Sequence, residues 1–292
     1  MKVAVIGANG QLGHDVARSF HAVGHEVSAL THGDIELSDQ RNVEDALKQA
    51  DANLVVNTAA MHHVEKCEQD APRAFLVNAV GVRTLATVTR DLGMALVHVS
   101  TDYVFDGKKA SPYVESDEAL PLNVYGNSKL AGEHFVRSVN PKHFVLRTSA
   151  LYGTSPCRAK GGLNFVELML KLAREKGQMR VVDSEKVSPT STEELASQIV
   201  ALSQSDRYGL YHATAEGNCS WYEFAREILA MAGIQAKLSI ASPDEFPAKV
   251  PRPAYSVLEN AGLKRIGLNK FQPWQYGLQR YLKQRSAAPT IG

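Results

Sequence analysis

Cysteine is scarce in this chain: three in 292 residues, at Cys67, Cys157 and Cys219, far apart and without a Cys-x-x-Cys pair. That excludes a disulfide framework and a thiolate zinc site, and makes a reducing compartment, the cytoplasm, the expected location. No apolar run approaches the roughly 20 residues that a bilayer helix needs, so no membrane span is expected. Met1-Lys2 runs straight into a strand pattern, and no signal peptide is expected. An excess of either charge is missing too. Thirty-two Lys and Arg stand against 31 Asp and Glu, scattered along the chain, for a net charge of +1. Nucleic acid would find no basic face, and is not expected as a partner. Internal repeats and low-complexity tracts are absent. What is present is 44% hydrophobic and 22% charged, which suffices for a large core.

The most informative segment is the first. Val3-Ala4-Val5-Ile6 is a short buried-strand pattern, and Gly7, Gly10 and Gly13 follow it directly, ahead of helical periodicity. Gly7 permits a tight turn, Gly10 lets a pyrophosphate approach the backbone, and Gly13 lets the helix pack closely. Phosphates would then meet free N–H groups and the positive end of a helix dipole. Glycines at this spacing also close ordinary βα turns; their position after the first strand favours a dinucleotide.

Strand and helix patterns alternate from there. Strands are read at 3–6, 25–30, 54–56, 94–99 and 143–148, with helices at 11–23, 43–50, 71–92 and 129–138 between them. The continuous apolar strands predict a Rossmann-like, doubly wound parallel α/β sheet, with ligands beyond the strand C-termini. After Thr148 the rhythm breaks. Residues 153–162 read as a Gly/Lys/Arg-rich loop, 164–175, 192–203 and 222–232 as helices, and proline-rich 240–255 as irregular. We expect a dinucleotide-binding domain at 1–148, to which about 187–213 returns. A smaller C-terminal α/β substrate lobe takes 149–186 and 214–285, and 286–292 is expected to be a disordered tail.

Tyr125 and Lys129 stand four residues apart, a spacing that puts both on one face of a helix. Carbonyl reduction by hydride needs a proton donor at the oxygen. A phenol has an ordinary pKa of about 10, and a nearby cation makes its proton easier to lose. Among ten tyrosines a chance Tyr-x-x-x-Lys is unremarkable. The strand end Ser100-Thr101-Asp102 adds weight, because a hydroxyl there can hold a substrate carbonyl for attack.

These features resemble the extended short-chain dehydrogenase/reductases. Finer matches resemble one branch, the dTDP-4-dehydrorhamnose reductases: Ser100-Thr101-Asp102-Tyr103-Val104-Phe105-Asp106-Gly107, Pro121–Gly126, Ser128–Glu133, Leu146-Arg147-Thr148-Ser149, Asn164-Phe165, Pro189-Thr190, and Arg252-Pro253 with Ser256. The resemblance implies NAD(P)H-dependent reduction of the 4-keto group of a nucleotide-activated 6-deoxy-4-keto sugar. Thr101, Tyr125 and Lys129 would be catalytic, with Tyr125 and Lys129 also touching cofactor. Gly7, Gly10, Gln11, Leu12 and Gly13 would meet the pyrophosphate, Glu36 and Leu37 the adenine, and Ala59, Ala60 and Met61 the nicotinamide. Thr101, Asp102, His62, Asn164 and Arg252 would face the nucleotide-sugar, arginine being suited to a diphosphate. A surface charge is the plainer reading of Arg252, and a packed imidazole that of His63. A homodimer is the assembly considered.

The chain also departs from the family pattern. Family members usually carry Trp after Arg-Thr-Ser, where this chain has Ala150, so a roomier pocket or a different sugar is expected. Met61-His62-His63 has no Cys, Asp or Glu at ligand spacing, and Arg280–Arg285 lacks the glutamates by which some relatives hold magnesium between subunits; no metal is expected. Strand two ends Leu30-Thr31-His32 without a carboxylate for a ribose 2′-hydroxyl, which points to NADPH with NADH tolerated. Cys157 beside Arg158 and Lys160 has cations that would lower a thiol pKa, though a bystander on the loop is the simpler reading. Glu65, Lys66 and Glu68 read as a helix face with no special role. A 4,6-dehydratase is disfavoured, because Tyr103 stands where such enzymes carry Glu. A 4-epimerase and a non-catalytic, dinucleotide-binding regulatory subunit remain as alternatives.

Overall fold

The apolar first half of the chain supplies five of the six strands of one parallel sheet. The structure, a computed structural model, describes residues 1–157, 161–242, 245 and 249–287, with Ala287 in its backbone only. In order come β1 (Lys2–Ile6), α1 (Gln11–Ala22), β2 (Glu26–Leu30), α2 (Gln40–Ala50) and β3 (Leu54–Asn57). Then come α3 (Val64–Gln69), α4 (Ala71–Phe75), a π-helical turn (Leu76–Val80) and α5 (Gly81–Asp91). β4 (Ala95–Thr101), α6 (Val124–Val139) and β5 (His143–Thr148) complete this half. The second half holds β6 (Leu151–Tyr152), α7 (Phe165–Lys176), β7 (Gln178–Val181), β8 (Lys186–Val187), β9 (Thr190–Ser191) and α8 (Thr192–Ser203). It ends with β10 (Gly209–His212), β11 (Cys219–Ser220), α9 (Trp221–Met231), β12 (Lys237–Ile240), α10 (Ala261–Arg265) and α11 (Trp274–Ala287).

Six strands pair in parallel in the order β10-β5-β4-β3-β1-β2. The order reverses between β1 and β3, the point at which doubly wound sheets bind ligands. Val3, Val5, Val56, Val97 and Leu146 pack one sheet face against α1 and α8. Ala4, Ile6, Val55, Leu96 and Val145 pack the other against α2 and α5. Burial on both faces is why these strands read as unbroken apolar runs. A separate core joins α7, α9 and α11 around Tyr152, Phe224, Trp274 and Leu278.

The structure refines one reading and corrects two. The helix expected over 71–92 is present and runs without a gap through α4, the π turn and α5. Asp70 caps α4 through the Arg73 amide, and the chain then widens into the π turn. Asn78 in that turn accepts from the Met61 amide at 2.9 Å and donates to Ser128 Oγ on α6 at 3.0 Å. π turns of this kind often mark functional positions. Of the residues expected in the tail, Ser286 lies in α11 and donates to the Leu282 carbonyl; residues 288–292 lie outside the described residues. So do Arg158 and Lys160 of the 153–162 loop, and Pro243 and Pro247 of the proline-rich stretch. Glu65 and Glu68 on α3 both have structural partners, described below.

Candidate active site

A cavity of about 520 Å³ opens beyond the C-terminal ends of the sheet strands, within the usual range for ligand sites. One end is the glycine turn. Gly7 takes φ +79°, in the left-handed region. A Cβ on Gly13 would overlap the Gly7 carbonyl oxygen, so only glycine lets α1 start this close to β1. Gly10 caps α1 without a side-chain hydrogen bond and no acid stands in the first turn, so the first amides are left for a ligand. Gly13→Ala is expected to destabilise the protein by about 1–3 kcal/mol through overpacking. Urea unfolding checks this; an unchanged midpoint would mean that the turn relaxes freely.

Thr31, His32, Glu36, Leu37 and Arg73 line the end of the cavity beside β2. Both acids in this neighbourhood are engaged. Asp34 accepts from the Thr31 amide and hydroxyl at 2.8 and 2.6 Å. Glu36 accepts from Ser38, whose hydroxyl stands 2.8 Å away, and these bonds hold its carboxyl below the usual range.

At the other end Thr101, Tyr125 and Lys129 line the cavity together. Asn123 caps α6 through the Gly126 amide at 2.9 Å, and Glu68 accepts from the Val124 amide at 3.0 Å. A Cβ on Gly126 would collide with the Tyr103 carbonyl, so glycine lets Tyr125 close on the end of β4. Burial pushes the Tyr125 phenol well above its ordinary pKa, while a hydrogen bond with Thr101 pulls the other way. The phenol therefore keeps its proton, the form that a reduction uses. Lys129 is buried, donates to the Val99 carbonyl at 2.7 Å and lies 3.4 Å from His98 Nε2. Burial brings its pKa down to about 8.

The family model for the RmlD substrate binding domain matches residues 1–287. The chain belongs to the dTDP-4-dehydrorhamnose reductase (RmlD) family. It is 40% identical over 287 residues to the Bacillus subtilis spore coat polysaccharide biosynthesis protein SpsK, covering 98% of this chain and 99% of that one. It is 35% identical to the dTDP-4-dehydrorhamnose reductase of Sinorhizobium fredii, with 96% of each chain covered. The crystal structure of dTDP-4-dehydrorhamnose reductase from Bacillus anthracis in complex with NADP is 33% identical, with TM-score 0.92, covering 97% of this chain and all of that one.

Not every residue expected from the RmlD pattern reaches the cavity. Ala59, Ala60 and His62 do, whereas Met61 is tied through its backbone to Asn78. Asn164 is drawn away. Its oxygen caps α7 at the Glu167 amide, and its nitrogen donates to the Gly153 carbonyl at 2.9 Å. Asp102 adjoins the cavity, but its carboxylate is spent: it accepts from Thr101 at 3.0 Å, Ser149 at 2.7 Å and Ser256 at 2.6 Å. Burial raises its pKa despite these bonds. Arg252 donates to Glu65 at 2.5 Å and is absent from the cavity wall. Asn123 also holds the Pro251 carbonyl at 2.9 Å. Three polar clips, at Pro251, Arg252 and Ser256, thus fasten the 251–256 segment to the start of α6, α3 and the end of β4.

Sequence reasoning missed Trp221, Arg73 and Asn78. Trp221 enters the cavity wall from α9, its indole N–H bonded to Glu185 at 3.0 Å. Ala150, which also lines the cavity, holds φ +45° with no large side chain. Only the fold brings these two together. Among the described residues no group of three His, Cys, Asp or Glu side chains could hold a metal ion.

Proposed function

We propose that this chain reduces the 4-keto group of a nucleotide-activated 6-deoxy-4-keto sugar, of the dTDP-4-dehydrorhamnose to dTDP-L-rhamnose type, using NADPH, in deoxysugar biosynthesis. The observation that carries this is the meeting of Thr101, Tyr125 and Lys129 in one cavity with the bare glycine turn. That turn fits a dinucleotide, because its first helical amides have no side-chain cap. Arg73 and the two engaged acids favour a 2′-phosphate over a bare ribose at the β2 end.

Bound NADPH supplies the hydride that adds to the carbonyl carbon. Tyr125 gives its proton to the oxygen, so that one C–H and one O–H bond form as the carbonyl π bond breaks. Thr101 orients that oxygen by turning its hydroxyl from Asp102, and Lys129 holds the cofactor ribose and restores the proton. Gly7, Gly10, Gln11, Leu12 and Gly13 cradle the pyrophosphate, Glu36 and Leu37 flank the adenine, and Ala59 and Ala60 back the nicotinamide. His62 and Trp221 border the sugar. The six-stranded unit carries the cofactor, and the lobe of 149–186 and 214–285 carries the sugar. Arg252 reaches a diphosphate if the substrate draws it from Glu65.

Purified protein, NADPH and dTDP-4-keto-6-deoxy-L-mannose made in situ test this by absorbance. Sugar-dependent NADPH oxidation is expected. Retained NADPH binding with no turnover overturns the reading for this sugar.

A further inference from the structure

Lys129 is one end of a buried hydrogen-bond wire whose direction is set by its other end. The Ala59 amide donates to Asn57 Oδ1 at 3.1 Å, which fixes the orientation of that side-chain amide. Asn57 Nδ2 then faces His98 Nδ1 at 3.2 Å, where it can only donate. A ring that accepts at Nδ1 carries its proton on Nε2 when neutral. Burial, with the Lys129 charge adding to it, keeps His98 uncharged. Its Nε2–H therefore points at Lys129 Nζ, 3.4 Å away. The uncharged amine suits this place: its lone pair takes the His98 proton, one N–H meets the Val99 carbonyl, and one is left for the cavity. An ammonium would set N–H against N–H, or would have to turn the His98 tautomer and break the Asn57–Ala59 bond.

We propose that His98 and Asn57 are positioning residues that make Lys129 a proton exchanger, by presenting its nitrogen with a donor from the sheet side. This rests on the reductase reading above. When Tyr125 loses its proton to substrate, the Lys129 ammonium can return one, the tyrosinate becoming phenol and the ammonium an amine that solvent water reprotonates. The wire favours that release by giving the amine a partner. Other charged groups around Lys129 do not do this. Glu133 on α6 is bound by Arg147 of β5 and by Ser100, Asp102 of the β4 end is filled by three hydroxyls, and Tyr125 is a neutral phenol.

The first test uses the ligand-free protein. Long-range correlations in ¹⁵N-histidine-labelled protein report each ring's tautomer, with His98 assigned by its loss in His98→Gln. The Nε2–H form is expected, and the Nδ1–H form overturns the proposal. Asn57→Asp then reverses the wire, because a carboxylate can only accept. His98 should switch to Nδ1–H and offer Nε2 to the ammonium. The Lys129 titration, followed by ¹³C at Cε and assigned with Lys129→Met, should move up by about one pH unit, and the basic limb of kcat/KM with it. A limb that stays, or that moves without the tautomer switch, overturns the proposal. His98→Gln, whose amide can accept from Asn57 and donate to Lys129, should keep the wild-type limb. Wild-type protein that fails to turn over sugar defeats the functional reading alone, since the tautomer and the Lys129 titration are read without substrate.

Discussion

Tyr125→Phe is expected to lower kcat by about 10²–10⁴-fold, the worth of a positioned general acid. The substitution removes one oxygen from a half-buried ring and leaves the shape of the cavity intact. The proton it removes has no substitute. Thr101 is committed to Asp102 at 3.0 Å, and Lys129 is fastened to the Val99 carbonyl at 2.7 Å. NADPH affinity should change little, because the glycine turn and the β2 end lie at the far end of the cavity. Steady-state NADPH oxidation and a separate NADPH fluorescence titration check the two halves. Turnover within tenfold of wild type would move the acid elsewhere, and a lost NADPH signal would mean that the variant had damaged the site.

The second large effect concerns stability. Glu133→Ala is expected to cost about 3–5 kcal/mol, because it strands the Arg147 charge in the core. Glu133 is fully buried and Arg147 is 3% exposed. Arg147 meets the carboxylate at 2.9 Å through Nε and 2.7 Å through Nη2, and lies over the Phe105 ring. Ser100 adds a third donor at 2.5 Å. This pair ties α6, one turn beyond Lys129, to the ends of β4 and β5. The melting temperature should fall by roughly 10 °C in a chain of this size. Replacing both partners, Glu133→Ala with Arg147→Met, should recover part of the loss, since no charge is then buried alone. Calorimetry and urea unfolding read both variants. A single variant as stable as wild type would mean that water or another carboxylate reaches Arg147.

The pairing of Tyr125 with Lys129 was legible because their relation is local. Four residues on a helix share a face whatever the rest of the chain does, and α6 covers both. The glycine turn was legible for the same reason, since β1, the turn and α1 are contiguous. A motif names a residue type but not the partner that holds it in the fold, as Asn164 and Arg252 show. Asn164 went to the α7 amide and the Gly153 carbonyl. Arg252 went to Glu65, 187 residues away in the chain, and Asp102 took Ser256, 154 residues away. The π turn inside the 71–92 helix carries Asn78 to Met61 and Ser128, a local widening that helical periodicity does not encode.

Local pattern alone therefore determined the alternating parallel α/β architecture, the dinucleotide turn and the Tyr125–Lys129 pair, because strand burial and helix periodicity repeat over neighbours along the chain. Tertiary structure decided which groups stand around them. The clips at Glu65, Asn123 and Asp102, the cavity wall that Trp221 and Ala150 share and the His98–Asn57 wire behind Lys129 join residues from different strands and lobes. Those meetings exist only once strand order and lobe closure bring distant buried polar groups within hydrogen-bond reach, and a buried polar group must then be satisfied by whatever the fold sets beside it.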